Sequence, residues 1–184
     1  MDTPMQIENN KPYHIKGRSL ISEKLNALAT EFVESDFKLP LTGSDIFRVW
    51  SSTPDGLFNL GNILTDWVAS SDCNTLLIPA EDALAAKLAG ALVLSANTIK
   101  YPVVVLEYPR TYGLLYNHVK ETNVAILATN KTTLKTCQKP LNKLRVSGVY
   151  TVYNCSRDIF DIGLDKYINL VDLTEVDQIL NASD

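Results

Sequence analysis

Cysteine, histidine and glycine are all scarce in this chain of 184 residues. Its three cysteines, Cys73, Cys137 and Cys155, stand far apart and form no C-x-x-C pair, and only His14 and His118 are there to join them. That spacing offers no metal-site pattern and suggests the reduced thiols of a cytosolic protein. No stretch approaches the roughly 18 uninterrupted apolar residues of a membrane helix. Residues 1–17 lack the apolar core of a secretion signal, so the N-x-[ST] matches at Asn130, Asn154 and Asn181 are read as chance. An excess of positive charge is missing too. A net charge of -4 and a pI near 5.2 give no global signature of a nucleic-acid binder. Repeats and low-complexity segments are absent.

What is present is ordinary for a globular protein, 46% hydrophobic and 21% charged, in a length that one domain accounts for. Residues 1–18 read as a flexible arm and residues 19–184 as one domain. A first helix is expected over 19–34, where Leu20, Leu25, Leu28, Phe32 and Val33 recur at helical spacing. Residues 36–43 and 46–50 read as two extended runs divided by a Thr-Gly-Ser turn. A second helix follows over 59–70.

From residue 75 the pattern alternates. Apolar strands at 75–78, 103–106, 124–127, 149–153 and 168–171 are separated by helical sequence at 81–94 and about 133–145, and a closing helix spans 173–180. Pro140 falls inside the 133–145 stretch and kinks or shortens it. Continuous apolar strands between helices predict an α/β fold with a mostly parallel sheet covered on both faces. Ligands of such sheets bind beyond the carboxyl ends of the strands, which directs attention to the turns after Ile78, Leu106, Leu127 and Tyr153.

Three of those turns carry a resemblance. The segment Val124-Ala-Ile-Leu-Ala-Thr-Asn-Lys-Thr-Thr-Leu-Lys-Thr136 resembles the phosphate loop of type I phosphoribosyltransferases, within them the orotate branch. That family has four apolar strand residues, two acids, two further residues and a Thr-Thr-Gly-Gly-Thr run. Thr132, Thr133 and Thr136 match its hydroxyls. Ala128 and Thr129 stand where it has acids, and Leu134 and Lys135 where it has glycines. The segment Leu76-Leu-Ile-Pro-Ala-Glu-Asp-Ala-Leu-Ala-Ala86 resembles its pyrophosphate loop, with Glu81 and Asp82 in a turn that usually holds glycines. After Val103-Val-Val105, where orotate enzymes continue into an Arg-Lys pair and a basic loop, this chain reads Leu106-Glu-Tyr-Pro-Arg110. Weaker matches are Phe37-Lys-Leu-Pro-Leu-Thr-Gly43, similar to a segment of the family's N-terminal hood, and Arg157 at the end of the fourth strand. The resemblance runs from about residue 19 to residue 180.

It implies a phosphoribosyltransferase-like α/β fold with a small hood, formed by about residues 19–58 plus the C-terminal end, and usually a dimer. The departures point away from the family reaction. Without the two acids a magnesium ion loses its natural ligands, so no cofactor is expected. Leu134 carries a Cβ where glycine would let a phosphate approach, and Glu81 and Asp82 would repel pyrophosphate. The candidate phosphate loop is therefore Ala128, Thr129, Asn130, Lys131, Thr132, Thr133 and Thr136, and the pyrophosphate-loop equivalent is Ala80, Glu81 and Asp82. Those threonines serve helix capping alone or capping together with anion binding. Lys131, Lys135, Lys139, Lys143 and Arg145 read as a solvated helix face in preference to a nucleic-acid stripe. Tyr108, Arg110, Tyr112 and Tyr116 are interface candidates, since exposed tyrosine is enriched at interfaces. Glu81 and Asp82 read as first-turn acids before a catalytic pair, and Cys137 as core. The expected function is that of a catalytically degenerate orotate phosphoribosyltransferase-like protein, cytoplasmic, which binds a nucleotide, a phosphorylated ligand or a protein partner. The alternative is an active enzyme with a rebuilt site.

Overall fold

The computed structural model describes residues 11–35, 39–111, 113, 122–137, 144–153 and 168–182. Five strands form its sheet: β1 (Thr75–Pro79), β2 (Val104–Tyr108), β3 (Asn123–Ala128), β4 (Arg145–Tyr153) and β5 (Ile168–Val171). Every pairing is parallel and the order is β2-β1-β3-β4-β5. The apolar runs segregate strictly by the two-residue period of a strand. Leu76, Ile78, Ala125, Leu127, Tyr150 and Val152 enter one core, whereas Leu77, Val124, Ile126, Ala128 and Val149 enter a second core on the opposite face. This double burial is why the strands read as unbroken apolar runs.

The larger core is covered by α1 (Pro12–Glu34), α2 (Gly43–Trp50), α3 (Pro54–Ser70), α4 (Ala83–Thr98) and the final helix. Helices α3 and α4 approach so closely that a Cβ on Gly61 would lie 2.6 Å from the Ala91 carbonyl oxygen. On the second face the described residues supply the one-turn helix α5 (Lys131–Leu134) and a 3-10 turn at Lys135–Cys137. The chain closes with α6 (Thr174–Asn181), which packs against α1 and α2.

Several sequence expectations change here. Helix α1 begins at Pro12, not at residue 19. Proline is at home in a first turn, and His14 and Gly17 are buried, so residues 12–18 are docked instead of forming part of an arm. The fully buried line of α1 is Ile21, Leu25 and Ala29. Residues 43–50 are helical, not extended. The Thr42 N–H donates to Asp45 Oδ2 at 2.9 Å and the Asp45 N–H returns to Thr42 Oγ1 at 3.4 Å, a capping box that starts α2 and overrides the turn signal of Thr-Gly-Ser. Helix α3 starts at Pro54, also earlier than expected. The helix foreseen over 133–145 is one turn of α5 plus the 3-10 turn, and Arg145 belongs to β4, which separates it from Lys131 and Lys135. Pro140, Lys139 and Lys143 lie outside the described residues.

Candidate functional site

The strand order reverses direction between β1 and β3, since β1 leads left to β2 and β2 returns across it to β3. Crevices open beyond the carboxyl ends of strands at such a point. The turns that meet there are those after β1 and β3, two of the three that carried the resemblance.

After β1 the chain turns sharply through Ala80 and Glu81. The Ala80 N–H donates to the Tyr108 carbonyl at 2.7 Å, tying this turn to β2. Glu81 lies in the left-handed region with φ 72°, a conformation that glycine adopts freely and glutamate does not. Its exposed carboxylate accepts from the Arg110 guanidinium, an ion pair in solvent and so of small energetic weight. Asp82 behaves differently from the first-turn acid expected. It is the N-cap of α4 and only 6% exposed. Oδ1 accepts the Ala85 N–H at 3.0 Å, while the other side of the carboxylate reaches across the crevice. There Oδ2 accepts the Thr129 N–H at 2.7 Å, and the Thr129 hydroxyl donates to Oδ1 at 2.5 Å.

After β3, Thr129 is also anchored from behind, its carbonyl accepting the N–H groups of Val152 and Tyr153 at 3.1 and 3.2 Å. Asn130 caps α5 in a second reciprocal box. Its side chain accepts the Thr133 N–H at 3.0 Å and its own N–H donates to the Thr133 hydroxyl at 3.1 Å. The Thr136 hydroxyl donates to the Thr133 carbonyl at 2.8 Å. Ala128 and Leu134 are completely buried in the second core. Leu134, at a glycine position of the resemblance, is thus a packing residue. Burial pushes the Cys137 thiol up to about 12, consistent with a core cysteine.

Above these turns opens a cavity of about 1020 Å³, walled on the far side by α2 and α6. Hydroxyl and amide groups of Thr42, Ser44, Thr129, Asn130, Thr132, Thr133, Tyr153 and Asn181 line it. Among the described residues its charged lining is four carboxylates, Asp45, Glu81, Asp82 and Asp177, and one cation, Arg48. Three of the four are held by the fold: Asp45 caps α2, Asp82 clasps Thr129, and Asp177 accepts the Gly43 N–H at 2.6 Å. Glu81 pairs with Arg110. The cavity gathers Glu81, Asp82, Thr129, Asn130, Thr132 and Thr133 from the sequence-read candidates, while Ala80, Ala128, Lys131, Thr136, Tyr108 and Arg110 do not line it. Thr42, Ser44, Asp45, Arg48, Asp177 and Asn181 were not foreseen. Only the Thr-x-x-Asp box at 42–45 marked any of them in the sequence.

Tyr108 is half-buried at the end of β2, where the Glu107 N–H donates to the Thr111 hydroxyl at 2.8 Å. Tyr112, Tyr116, His118 and Arg157 lie outside the described residues. Among the described residues, no group of three or more His, Cys, Asp or Glu is placed to hold a metal ion, and no helix is long and apolar enough to cross a membrane.

Solved structures place this arrangement. A phosphoribosyltransferase from Corynebacterium diphtheriae matches with a TM-score of 0.55 at 16% identity, over 84% of this chain and 98% of that one. The orotate phosphoribosyltransferase of Mycobacterium tuberculosis H37Rv in complex with inorganic phosphate matches with 0.56 at 12% identity, over 94% and 99%. The same enzyme in complex with 5-phospho-alpha-D-ribosyl 1-diphosphate gives 0.54 at 13% identity, over 87% and 98%. The fold is phosphoribosyltransferase-like. No family model matches the sequence, and no curated protein matches it. The likeness is one of architecture, and the phosphoribosyltransferase-like fold explains why the β1 and β3 turns flank a crevice.

Proposed function

We propose that this chain is a catalytically degenerate relative of the orotate phosphoribosyltransferases that acts by binding in the crevice, in a regulatory or assembly role. One observation carries the reading: the Asp82 carboxylate holds both the N–H and the hydroxyl of Thr129. Thr129 and Ala128 take the positions of the two acids in the resemblance. The first is fully engaged within the protein and the second faces the core. Neither brings charge to hold ribose hydroxyls or a metal-bound pyrophosphate. The remaining lining, rich in hydroxyls and amides and net acidic, suits the uncharged nucleoside part of a nucleotide better than its phosphates. The crevice volume is ample for such a ligand.

The test is a direct one. Purified protein is mixed with phosphoribosyl pyrophosphate, magnesium and a panel of bases including orotate, and pyrophosphate release is followed; calorimetric titrations with nucleosides and nucleotides run beside it. Saturable binding of a nucleoside without turnover supports the reading. Turnover of any base sinks it.

A further inference from the structure

The first two turns of α1 owe their order to tertiary contacts. The N-cap residue, Lys11, makes no side-chain cap, and the first turn carries no acid. Residues 11–18 hold three cations, Lys11, Lys16 and Arg18, and no carboxylate, at a helix end whose dipole disfavours positive charge. Gly17, the one glycine of α1, weakens the helix further. Against this stand three contacts with α3 and β4. The Trp67 indole N–H donates to the Tyr13 carbonyl at 3.2 Å. A Cβ on Gly17 would lie 2.8 Å from Ile63 Cγ2 and 3.0 Å from Trp67 Nε1, so α1 and α3 touch there. His14 packs beside that contact, 2% exposed, with the ring centroids of Tyr13, Trp67 and Tyr150 at 4.3, 4.7 and 6.0 Å.

Neither His14 ring nitrogen has a hydrogen-bond partner among the described residues. From α3 the ring faces Trp67, and from β4 Tyr150, whose hydroxyl pairs with that of Ser71 at 2.8 Å. Its own helix contributes Tyr13 and the charges of Arg18 and Lys11. Burial first, then those two charges, keep the imidazole neutral. An imidazolium in this cage would be buried, unpaired and close to like charges, and its relief is to reach water. Ile21, Leu25 and Ala29 anchor the rest of α1 in the larger core, so only the turns before them need to move. We infer that residues 12–18 form an acid-released strap: charging of His14 undocks them from α3 and β4 and bares the apolar face of Ile63, Trp67 and Tyr150 while the rest of the fold stays closed. None of these residues lines the crevice, so the device stands apart from the functional reading above.

The experiment is native-state hydrogen exchange on the full-length chain at pH 7 and pH 5, in a series of sub-denaturing urea concentrations. Protection factors, corrected for the intrinsic pH dependence of exchange, are read at Ile15, Lys16, Gly17 and Arg18 and at Leu88 and Leu92 of α4. The strap amides are expected to be roughly tenfold or more less protected than those of α4, through an opening that urea barely changes. In the wild type their protection should fall about twentyfold from pH 7 to pH 5, the ratio set by a pKa of 6.5 when released and about 4 when docked. In His14→Leu and His14→Phe it should change by less than about twofold. Melting curves confirm that each variant is folded, so failure of one leaves the other to decide. The inference is overturned if the strap amides exchange only together with α4, if the wild-type fall is absent, or if it persists in a folded variant.

Discussion

The turns after β1 and β3 occupy the same position in neighbouring strand–turn–helix units, yet they close their helices by opposite means. After β3, Asn130 and Thr133 satisfy each other within four residues, using neutral groups. After β1, Asp82 uses a buried charge, and two of its three donors come from the other turn. One cap is local and replaceable. The other stitches the crevice floor together, and through the Thr129 carbonyl the stitch extends to Val152 and Tyr153 on β4. A cap that reaches across a crevice has consequences for what enters it, and a cap that stays within its own turn does not.

The largest effect should therefore come from Asp82→Ala. It removes the α4 cap and leaves the Thr129 N–H and hydroxyl without their acceptor, at a combined cost of about 3 kcal/mol. Urea unfolding at neutral pH measures it. A loss no greater than that of a simple N-cap would break the comparison, because Asp82 would then be no more than the counterpart of Asn130.

Acid sensitivity offers an independent control, because it should arise away from both turns. His14 is 2% exposed, neither ring nitrogen has a hydrogen-bond partner, and the rings of Tyr13, Trp67 and Tyr150 surround it. Burial, with help from the charges of Arg18 and Lys11, lowers its pKa from 6.5 to about 4. A lowered histidine binds its proton more readily when unfolded, so its contribution is complete above pH 6.5 and is lost as pH falls toward 4. At pH 5 the loss should be about 2 kcal/mol. Asp45 and Asp172 are held below their ordinary value of 3.8 by hydrogen bonds from Thr42 and Thr174, so they act only at lower pH. His14→Leu should flatten the stability profile between pH 7 and pH 5, and a slope that survives this substitution would place the acid-sensitive group elsewhere.

Asn130→Ala tests the other half of the comparison. A local cap on a single helical turn should cost about 1 kcal/mol, and its effect should add to that of Asp82→Asn, since the two caps share no partner. Coupling beyond about 0.5 kcal/mol in that double mutant would show that the turns are less separate than their hydrogen bonds indicate.

How far the sequence reveals this contrast depends on the range of the interactions involved. The strands were legible because Leu76 to Ile78 and Val124 to Leu127 are buried on both faces and read as apolar runs without help from tertiary structure. The location of the crevice was legible from strand ends. The start of α2 was written in Thr42 and Asp45 but lost to the louder turn signal of the intervening glycine and serine. Asp82 reads in sequence as one more acid at a helix start. Its second role depends on β3 lying beside β1, which no local pattern encodes. The walls supplied by Arg48, Asp177 and Asn181 likewise require α2 and α6 to be folded over the sheet before they can be seen.

The smallest expected effect lies one residue before the clasp. Glu81 holds φ 72°, a left-handed conformation that glycine adopts freely and glutamate does not. Replacing Glu81 by Gly should relieve roughly 1 kcal/mol of left-handed strain. Against that stand the lost Arg110 pair, exposed and worth little, and the greater freedom of glycine in the unfolded chain, again near 1 kcal/mol. The terms nearly cancel, and the change in unfolding free energy should stay within about 0.5 kcal/mol, with the Asp82 to Thr129 contact intact. A loss of 2 kcal/mol or more would mean that the Glu81 to Arg110 pair, not the buried carboxylate beside it, holds the turn in place. The two adjacent acids would then have to exchange roles: the exposed one structural, the buried one dispensable.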